Sequence, residues 1–424
     1  MREYLKKLPK EVKYLIALAR KVSKETNMPA YLVGGFPRDL ILGVKDWDLD
    51  ITVEGNGIKF AEVLSKRLHS GLIRHERFGT ATLILDHRLK VDIATTRKEI
   101  YPFSASLPVV SPGSLKEDLS RRDFTINAMA FSLSEGSQKL IDIFGGKDDL
   151  AAGEIRVLHD LSFKDDPTRI LRAIRFQQRY NFKIEPKTLS LLKDAVNSGL
   201  LEKVNPHRMR DELILMFKEN NPSAQIKQLC ALGGISFISD KLKPAKPAYD
   251  LFKSINKEIA WFMQDFPFHK QFEAWLIYFA ALLSPLTLAQ VRKIARKLGL
   301  SKKEEKKIVN CRKINQNFIR RLRNKRISPG QIFALLKPLD FEAIILLRSV
   351  SHDSVIKKYT ADFLKVYNDL RLCISGDDLL RMGVLPGPEY QKILNRVLAA
   401  KLNGKVSSRQ EELALAGKLV KNIA

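Results

Sequence analysis

The chain has 424 residues, with 73 Lys+Arg against 47 Asp+Glu, a net charge of +26. Hydrophobic residues at 45% and charged residues at 28% are globular values, which exclude a disordered or acidic solvating chain, and at ~150 residues per domain the length suits two to four domains. So large a positive excess points to a polyanionic partner: nucleic acid, nucleotide or anionic membrane.

In chain order, Tyr31–Val33 reads as a buried strand, and Asp50-Ile51-Thr52-Val53 as a second. Lys59–Leu68 has helical spacing. Thr80–Leu85 and Leu89–Ala94 read as a hairpin turning at Asp86-His87-Arg88. Residues 101–114 hold three prolines and four serines, the composition of a mobile loop. Past about residue 161 strand signals nearly vanish. Apolar residues then recur at helical spacing through Ile170–Phe176, Leu189–Val196, Leu213–Phe217 and Phe272–Leu283. The expected fold is α+β: an N-terminal α/β head on a long all-helical body. Residues 235–245 and 326–330 carry Gly, Pro or Ser and suit joints; no internal repeat stands out.

Cys230, Cys311 and Cys373 lie far apart without a CxxC pair, so neither a zinc site nor a disulfide framework is expected. The charged N-terminus lacks an apolar signal core. The longest apolar run, Ala274–Leu283, falls short of the ~20 residues needed to span a bilayer. A soluble, reducing, cytoplasmic setting is the expectation. The charge is uneven: residues 291–330 carry 15 Lys/Arg against two Glu, a basic face on helices or a solvated lysine-rich surface.

The motif with most chemistry is Gly34-Gly35-Phe36-Pro37-Arg38-Asp39, directly after a strand. A Gly-Gly turn lets backbone amides approach a phosphate at a helix start, and Arg38 can add a fork of donors. Nine residues past Asp39 comes Asp48-Leu49-Asp50. Strand residues i and i+2 share a face, so Asp48 and Asp50 project together as a hard oxygen site suited to Mg²⁺. Asp92, in the later strand, either joins them or faces solvent at a strand end. Asp46 is a lower-ranked rival. Three carboxylates with metal would activate a hydroxyl and neutralise a leaving pyrophosphate.

Next stands Arg121-Arg122-Asp123-Phe124-Thr125-Ile126-Asn127-Ala128. Adjacent arginines suit a triphosphate, and Asn127 can bond a ribose hydroxyl. Further on, Asp166-Pro167-Thr168-Arg169 leads into a helix whose row continues through Arg172 and Arg175. Asp166 and Arg169, three apart, share a face, and Asp166 also suits a helix cap before Pro167. Arg208 and Glu212 are four apart, which an intrahelical ion pair explains.

Together these motifs resemble the class II tRNA nucleotidyltransferases, the CCA-adding enzyme family that includes bacterial poly(A) polymerases and separate A-adding and CC-adding enzymes. The resemblance covers about residues 30–215. It rests on Leu32-Val-Gly-Gly-Phe-Pro-Arg-Asp39 with Asp48-Leu-Asp50, on Arg121–Ala128, on Asp142-Ile-Phe-Gly-Gly-Lys-Asp-Asp-Leu150, and on Asp165–Phe176. It implies a polymerase-β-like head over 1–160, a base-reading neck over 161–235 and an RNA-binding helical body and tail over 236–424. It further implies CMP or AMP addition to a tRNA 3′ end from CTP and ATP, with Mg²⁺ on Asp48 and Asp50. Gly35, Arg38 and Arg121 or Arg122 would hold the triphosphate, with Gly34, Asp123, Asn127, Arg172 and Arg175 in the same nucleotide site. Asp166 and Arg169 would read the base: a carboxylate accepts the exocyclic amine of A or C, and a guanidinium donates to the ring acceptor. The 101–114 loop resembles the family's flexible loop, which argues against a CC-only enzyme. Pro37 stands where an aliphatic residue is usual, and Asp165 where Glu is usual.

Overall fold

The structure, a computed structural model, describes residues 8–45, 48–85, 89–134, 139–266 and 272–421. Asp46, the 86–88 turn and the first seven residues lie outside the described residues. The chain forms two compact units, residues 1–221 with 228–237 and residues 222–227 with 238–424.

The first unit opens with α1 (Lys10–Thr26), which buries Val12, Leu15, Ile16, Ala19 and Val22 and ends at a left-handed Asn27. Then follow β1 (Ala30–Val33), α2 (Gly35–Leu42), β2 (Leu49–Val53), α3 (Gly57–Leu68), β3 (Gly71–His75), β4 (Thr80–Ile84) and β5 (Lys90–Thr95). After a ribbon of β6 (Arg97–Ile100) and β7 (Val109–Pro112) come α4 (Leu115–Ser120), β8 (Met129–Ser132) and β9 (Leu140–Asp142). The main sheet runs β3-β4-β5-β2-β1-β8-β9. Only β2 and β5 pair in parallel; its other neighbours are antiparallel.

Period-two alternation sorts the sheet's faces. Leu32, Ile51, Ile93, Ala81 and Leu83 pack with α1 and α3 through Leu15, Val22, Phe60 and Leu64, all essentially without exposure. Each such side chain contributes roughly 1.5–3 kcal/mol on burial. That leaves Asp50, Asp92 and Thr82 on the opposite face, in register across β2, β5 and β4.

The expectation of an irregular loop over 101–114 is corrected in part. Residues 109–112 are strand β7, paired antiparallel with β6. Val109 and Val110 are β-branched, which favours extended backbone, and the proline at 112 falls at the strand end, where it is tolerated.

The remainder of this unit is α5 (Gly146–Ala152), β10 (Glu154–Ile155), α6 (Ser162–Asp165), α7 (Thr168–Tyr180), β11 (Lys183–Ile184), α8 (Pro186–Asn197), α9 (Leu200–Lys203) and α10 (Pro206–Lys218). Proline opens α8 and α10, where its missing N–H costs nothing. Helix α11 (Pro222–Ala231) is divided between the two units.

The second unit is helical: α12 (Lys246–Asp265), α13 (Ala274–Leu282), α14 (Leu288–Lys297), α15 (Lys302–Cys311), α16 (Gln316–Leu322), α17 (Pro329–Leu336), α18 (Phe341–Ser351), α19 (Ser354–Asp362), α20 (Gly376–Arg381), α21 (Pro388–Leu402) and α22 (Arg409–Lys421). Capping boxes start α14, α15 and α17 through Thr287–Gln290, Ser301–Glu304 and Ser328–Gln331. The apolar run 274–282 is a helix buried on all sides. Among the described residues no helix is long and apolar enough to cross a membrane. Arg348 is buried against Glu258 at 2.7 Å and over the Trp261 ring, so this core's buried charge is paired, as burial demands.

Candidate active site

Strand β1 ends at Val33, opposite Asp50 of β2. Gly34 follows with φ +73°, and a Cβ there would overlap the Asp50 carboxylate. Both facts require glycine. The turn thus sets the start of α2 beside the acid strand.

Asp48 and Asp50 enter one cleft of about 630 Å³ together with Gly34, Gly35, Arg38, Arg121, Arg122, Asp123, Asn127, Asp166, Arg169, Arg172 and Arg175. All these residues belong to the first unit. Asp92 is absent from that lining. It borders an adjoining groove that shares Asp50, Arg121 and Arg122, and it accepts from Thr82 Oγ1 at 2.5 Å. Burial pushes the Asp50 carboxyl up to about 6, with Asp48, Asp92 and Asp118 adding to the rise and Arg122 opposing it. That is acid charge without enough local compensation. Among the described residues no three His, Cys, Asp or Glu side chains gather tightly enough to hold an ion unaided. Two oxygen donors with surplus negative charge fit a hard divalent cation that completes its shell with water or phosphate.

Asp118, fully buried, fixes both arginines of the pair. Its Oδ1 accepts from Arg121 Nη2 at 2.8 Å and its Oδ2 from Arg122 Nη2 at 3.0 Å. Burial opposes its ionisation, yet Arg122 and Arg121 hold its carboxyl below the usual range. Arg121 also reaches Glu99 at 3.0 Å.

Arg38 is buried. It forks onto Asp39 at 2.7 and 2.9 Å, donates to Asn127 and lies over the rings of Phe176 and Tyr180. Asn127, expected at a ribose, here accepts from Arg38 and donates to Asp123 at 2.9 Å. Asp123 is gripped in turn by Arg172 at 2.7 Å. Burial alone would raise the Asp123 carboxyl, but Arg172 and Asn127 bring it down to about 2.

Helix α7 carries the arginine row. Asp166 precedes it and caps it, accepting from the Thr168 N–H at 3.1 Å and hydroxyl at 2.6 Å. Its second oxygen takes Arg208 Nη2 at 2.7 Å. Arg169 donates to Ser162 Oγ at 2.6 Å and to the Arg121 carbonyl at 2.7 Å. The expected Arg208–Glu212 pair is corrected. Glu212 accepts instead from Arg172 at 3.1 Å and pairs with Arg175 at 3.5 Å. The spacing put the two residues on one helix, but folding brings Asp166 within reach of Arg208 and the α7 arginines within reach of Glu212.

Among the described residues, three buried N–H atoms around this cleft have no acceptor: Arg122 Nε, Arg175 Nε and Arg208 Nη1. Each such donor costs roughly 1–3 kcal/mol unless something accepts from it. An ionised phosphate group supplies acceptors only. Sequence reasoning assigned no role to Asp118, Glu99 or Tyr180, and gave Arg208 only an intrahelical one. Asp118 was the findable one, three and four residues before the arginine pair on helical spacing.

This sheet, with its Gly-Gly turn beside two acids and a helical continuation, is the fold of the polymerase-β-like nucleotidyltransferases. Residues 30–156 match the "Poly A polymerase head domain" and residues 181–240 the "Probable RNA and SrmB- binding site of polymerase A". An A-adding tRNA nucleotidyltransferase of Geobacter sulfurreducens is 37% identical over 97% of this chain and 47% of its own length. One from Halalkalibacterium halodurans is 30% identical over 93% of this chain and 90% of its own. The Thermotoga maritima CCA-adding enzyme, solved with tRNA_CCA, superposes with a TM-score of 0.74 at 32% identity, covering 100% of this chain and 98% of that one. The chain belongs to the class II tRNA nucleotidyltransferase and poly(A) polymerase family. It spans about half the length of the Geobacter relative.

Proposed function

We propose that the protein adds CMP, AMP or both to the 3′ end of tRNA, using CTP and ATP. The observation that carries this reading is the single cleft that joins Asp48 and Asp50 to buried arginine donors lacking acceptors. Asp48 and Asp50 would hold Mg²⁺, with Asp92 flanking from β5. Bound there, the ion supplies Lewis-acid neutralisation of phosphate charge. Arg121 and Arg122, braced by Asp118, would grip the triphosphate, with the Gly34-Gly35 backbone alongside. Asp166 and Arg169 would present the acceptor and donor edge that distinguishes C and A from G and U. In this reading residues 1–160 are the catalytic head, 161–235 the base-reading neck and 236–424 the RNA-binding body and tail, in a cytoplasmic enzyme.

Purified protein, given Mg²⁺, tRNA lacking CCA and each NTP separately, should extend the RNA. Failure to incorporate CTP or ATP both on this tRNA and on one ending in C-C refutes the proposal. An A-only activity is the second reading, favoured by the names of the Geobacter and Halalkalibacterium relatives. Incorporation on tRNA ending in C-C but not on tRNA lacking both C residues would select it. A non-catalytic RNA-binding protein fits poorly, since both acids and the arginine row are present. Asp48→Ala and Asp50→Ala should abolish addition while leaving tRNA affinity within a few-fold.

A further inference from the structure

Residues 306–339 contain ten Lys/Arg and no Asp or Glu. Some of these cations are spoken for. Lys307 is buried between Glu273 and Glu342, Arg312 caps the Ser284 and Leu286 carbonyls, and Arg323 pairs with Asp353. Arg320 and Arg321 differ. Both are exposed, on the side of α16 away from buried Ile319 and Leu322, and among the described residues neither meets a carboxylate.

These two arginines line a groove of about 520 Å³ between α16 and α17, within the ~300–1,000 Å³ typical of ligand clefts. Its other polar walls are Asn317, Asn324 and Gln331; Ile327, Ala334 and Leu335 supply apolar surface. Every amide oxygen of the three already holds a donor. Asn317 Oδ1 accepts from Arg320 at 2.9 Å, Asn324 Oδ1 from the Arg326 N–H at 3.0 Å, and Gln331 Oε1 from the Ser328 N–H at 2.9 Å. The amino groups and guanidinia that remain can only donate. Next to the groove, α17 packs closely on α21: a Cβ at Gly330 would crowd Ala399, and the Gly330 N–H donates to Asn403 Oδ1 at 2.9 Å.

A cleft that offers donors, positive charge and no carboxylate complements a ligand that only accepts and is negative. A phosphodiester backbone has that chemistry, and its ribose edges suit the apolar wall. We propose that the α16–α17 groove is a phosphate-contacting site for the RNA substrate, Arg320 and Arg321 each meeting a backbone phosphate. This rests on the reading of the protein as acting on tRNA.

The test is filter binding of the full chain to tRNA lacking CCA across a salt series. Arg320→Glu with Arg321→Glu should raise Kd about tenfold or more and lower the slope of log Kd against log salt by roughly one to two, as two lost phosphate contacts require. Asn317→Ala with Asn324→Ala, which leaves the charge intact, should raise Kd several-fold with the slope retained. Lys21→Glu with Lys66→Glu, exposed lysines on α1 and α3, supplies the same charge change elsewhere. Unchanged Kd and slope in the arginine variant, or an equal loss in the lysine variant, overturns the site. Nucleotide addition by the wild-type chain is measured alongside, on tRNA lacking CCA and on tRNA ending in C-C. Binding without addition sinks the tRNA-extending reading and leaves the groove to be judged by the binding data. Addition with unaltered binding in the arginine variant sinks the groove alone.

Discussion

Arg208 Nη2 stands 2.7 Å from Asp166 Oδ2, across 42 residues of sequence. One oxygen of Asp166 is thereby given to Arg208 while the other caps α7 through Thr168. The carboxylate proposed to read the base is held from both sides. Arg208→Ala should free it. We expect kcat/KM for the accepted nucleotides to fall about tenfold, with weaker discrimination against GTP and UTP, and Arg208→Lys to restore part of the loss. A four-nucleotide incorporation panel checks this; unaltered selectivity in Arg208→Ala would show that the pair is only structural.

Asp118 braces Arg121 and Arg122 from a fully buried position. Asp118→Asn keeps the shape but removes the charge. Breaking a buried pair costs about 3–5 kcal/mol, so the melting temperature should drop. The diagnostic result is a KM for the nucleotide that rises more than kcat falls, measured below the melting transition. A kcat loss at constant KM would contradict the bracing role.

Gly34→Ala meets two penalties at once. The left-handed backbone costs ~1–2 kcal/mol for a residue with a Cβ, and that Cβ overlaps Asp50. Addition activity should fall at least a hundredfold. Because the groove at Arg320 lies in the second unit, tRNA affinity should change far less.

Asp123 gives a pH prediction. Its carboxyl lies at about 2 in the folded protein, below the ~3.9 of an unfolded chain. A depressed carboxyl stabilises above the unfolded value and loses that contribution as pH falls from near 4 toward 2. The linked term is roughly 2–3 kcal/mol. Asp123→Asn should therefore be less stable than wild type at pH 7, with the gap closing toward pH 2. Urea midpoints across that range measure it; a gap independent of pH would dismiss the charge pair with Arg172 as its cause.

Much of the site is legible in the order of residues along the chain. Gly34-Gly35 after a strand, Asp48-x-Asp50 entering the next, and the arginine row from 169 to 175 all work through spacing within one element. Local geometry makes such spacing readable: i and i+2 share a strand face, and a residue followed by its third neighbour shares a helix face. The β4–β5 hairpin and the helical second half are legible for the same reason.

Partnership was not legible. Arg208 and Glu212 sit at ion-pair spacing on α10, yet Arg208 goes to Asp166 and Glu212 to Arg172 and Arg175. Asn127 is engaged between Arg38 and Asp123. Asp92 matches Asp50 in register but borders an adjoining groove, outside the lining of the main cleft. The sequence by itself determined which motifs the candidate site is built from and which element bears each. Only the tertiary structure decided which charge meets which, because a long guanidinium chooses among all carboxylates that folding brings within reach, and burial makes the choice binding by penalising any charge left unpaired.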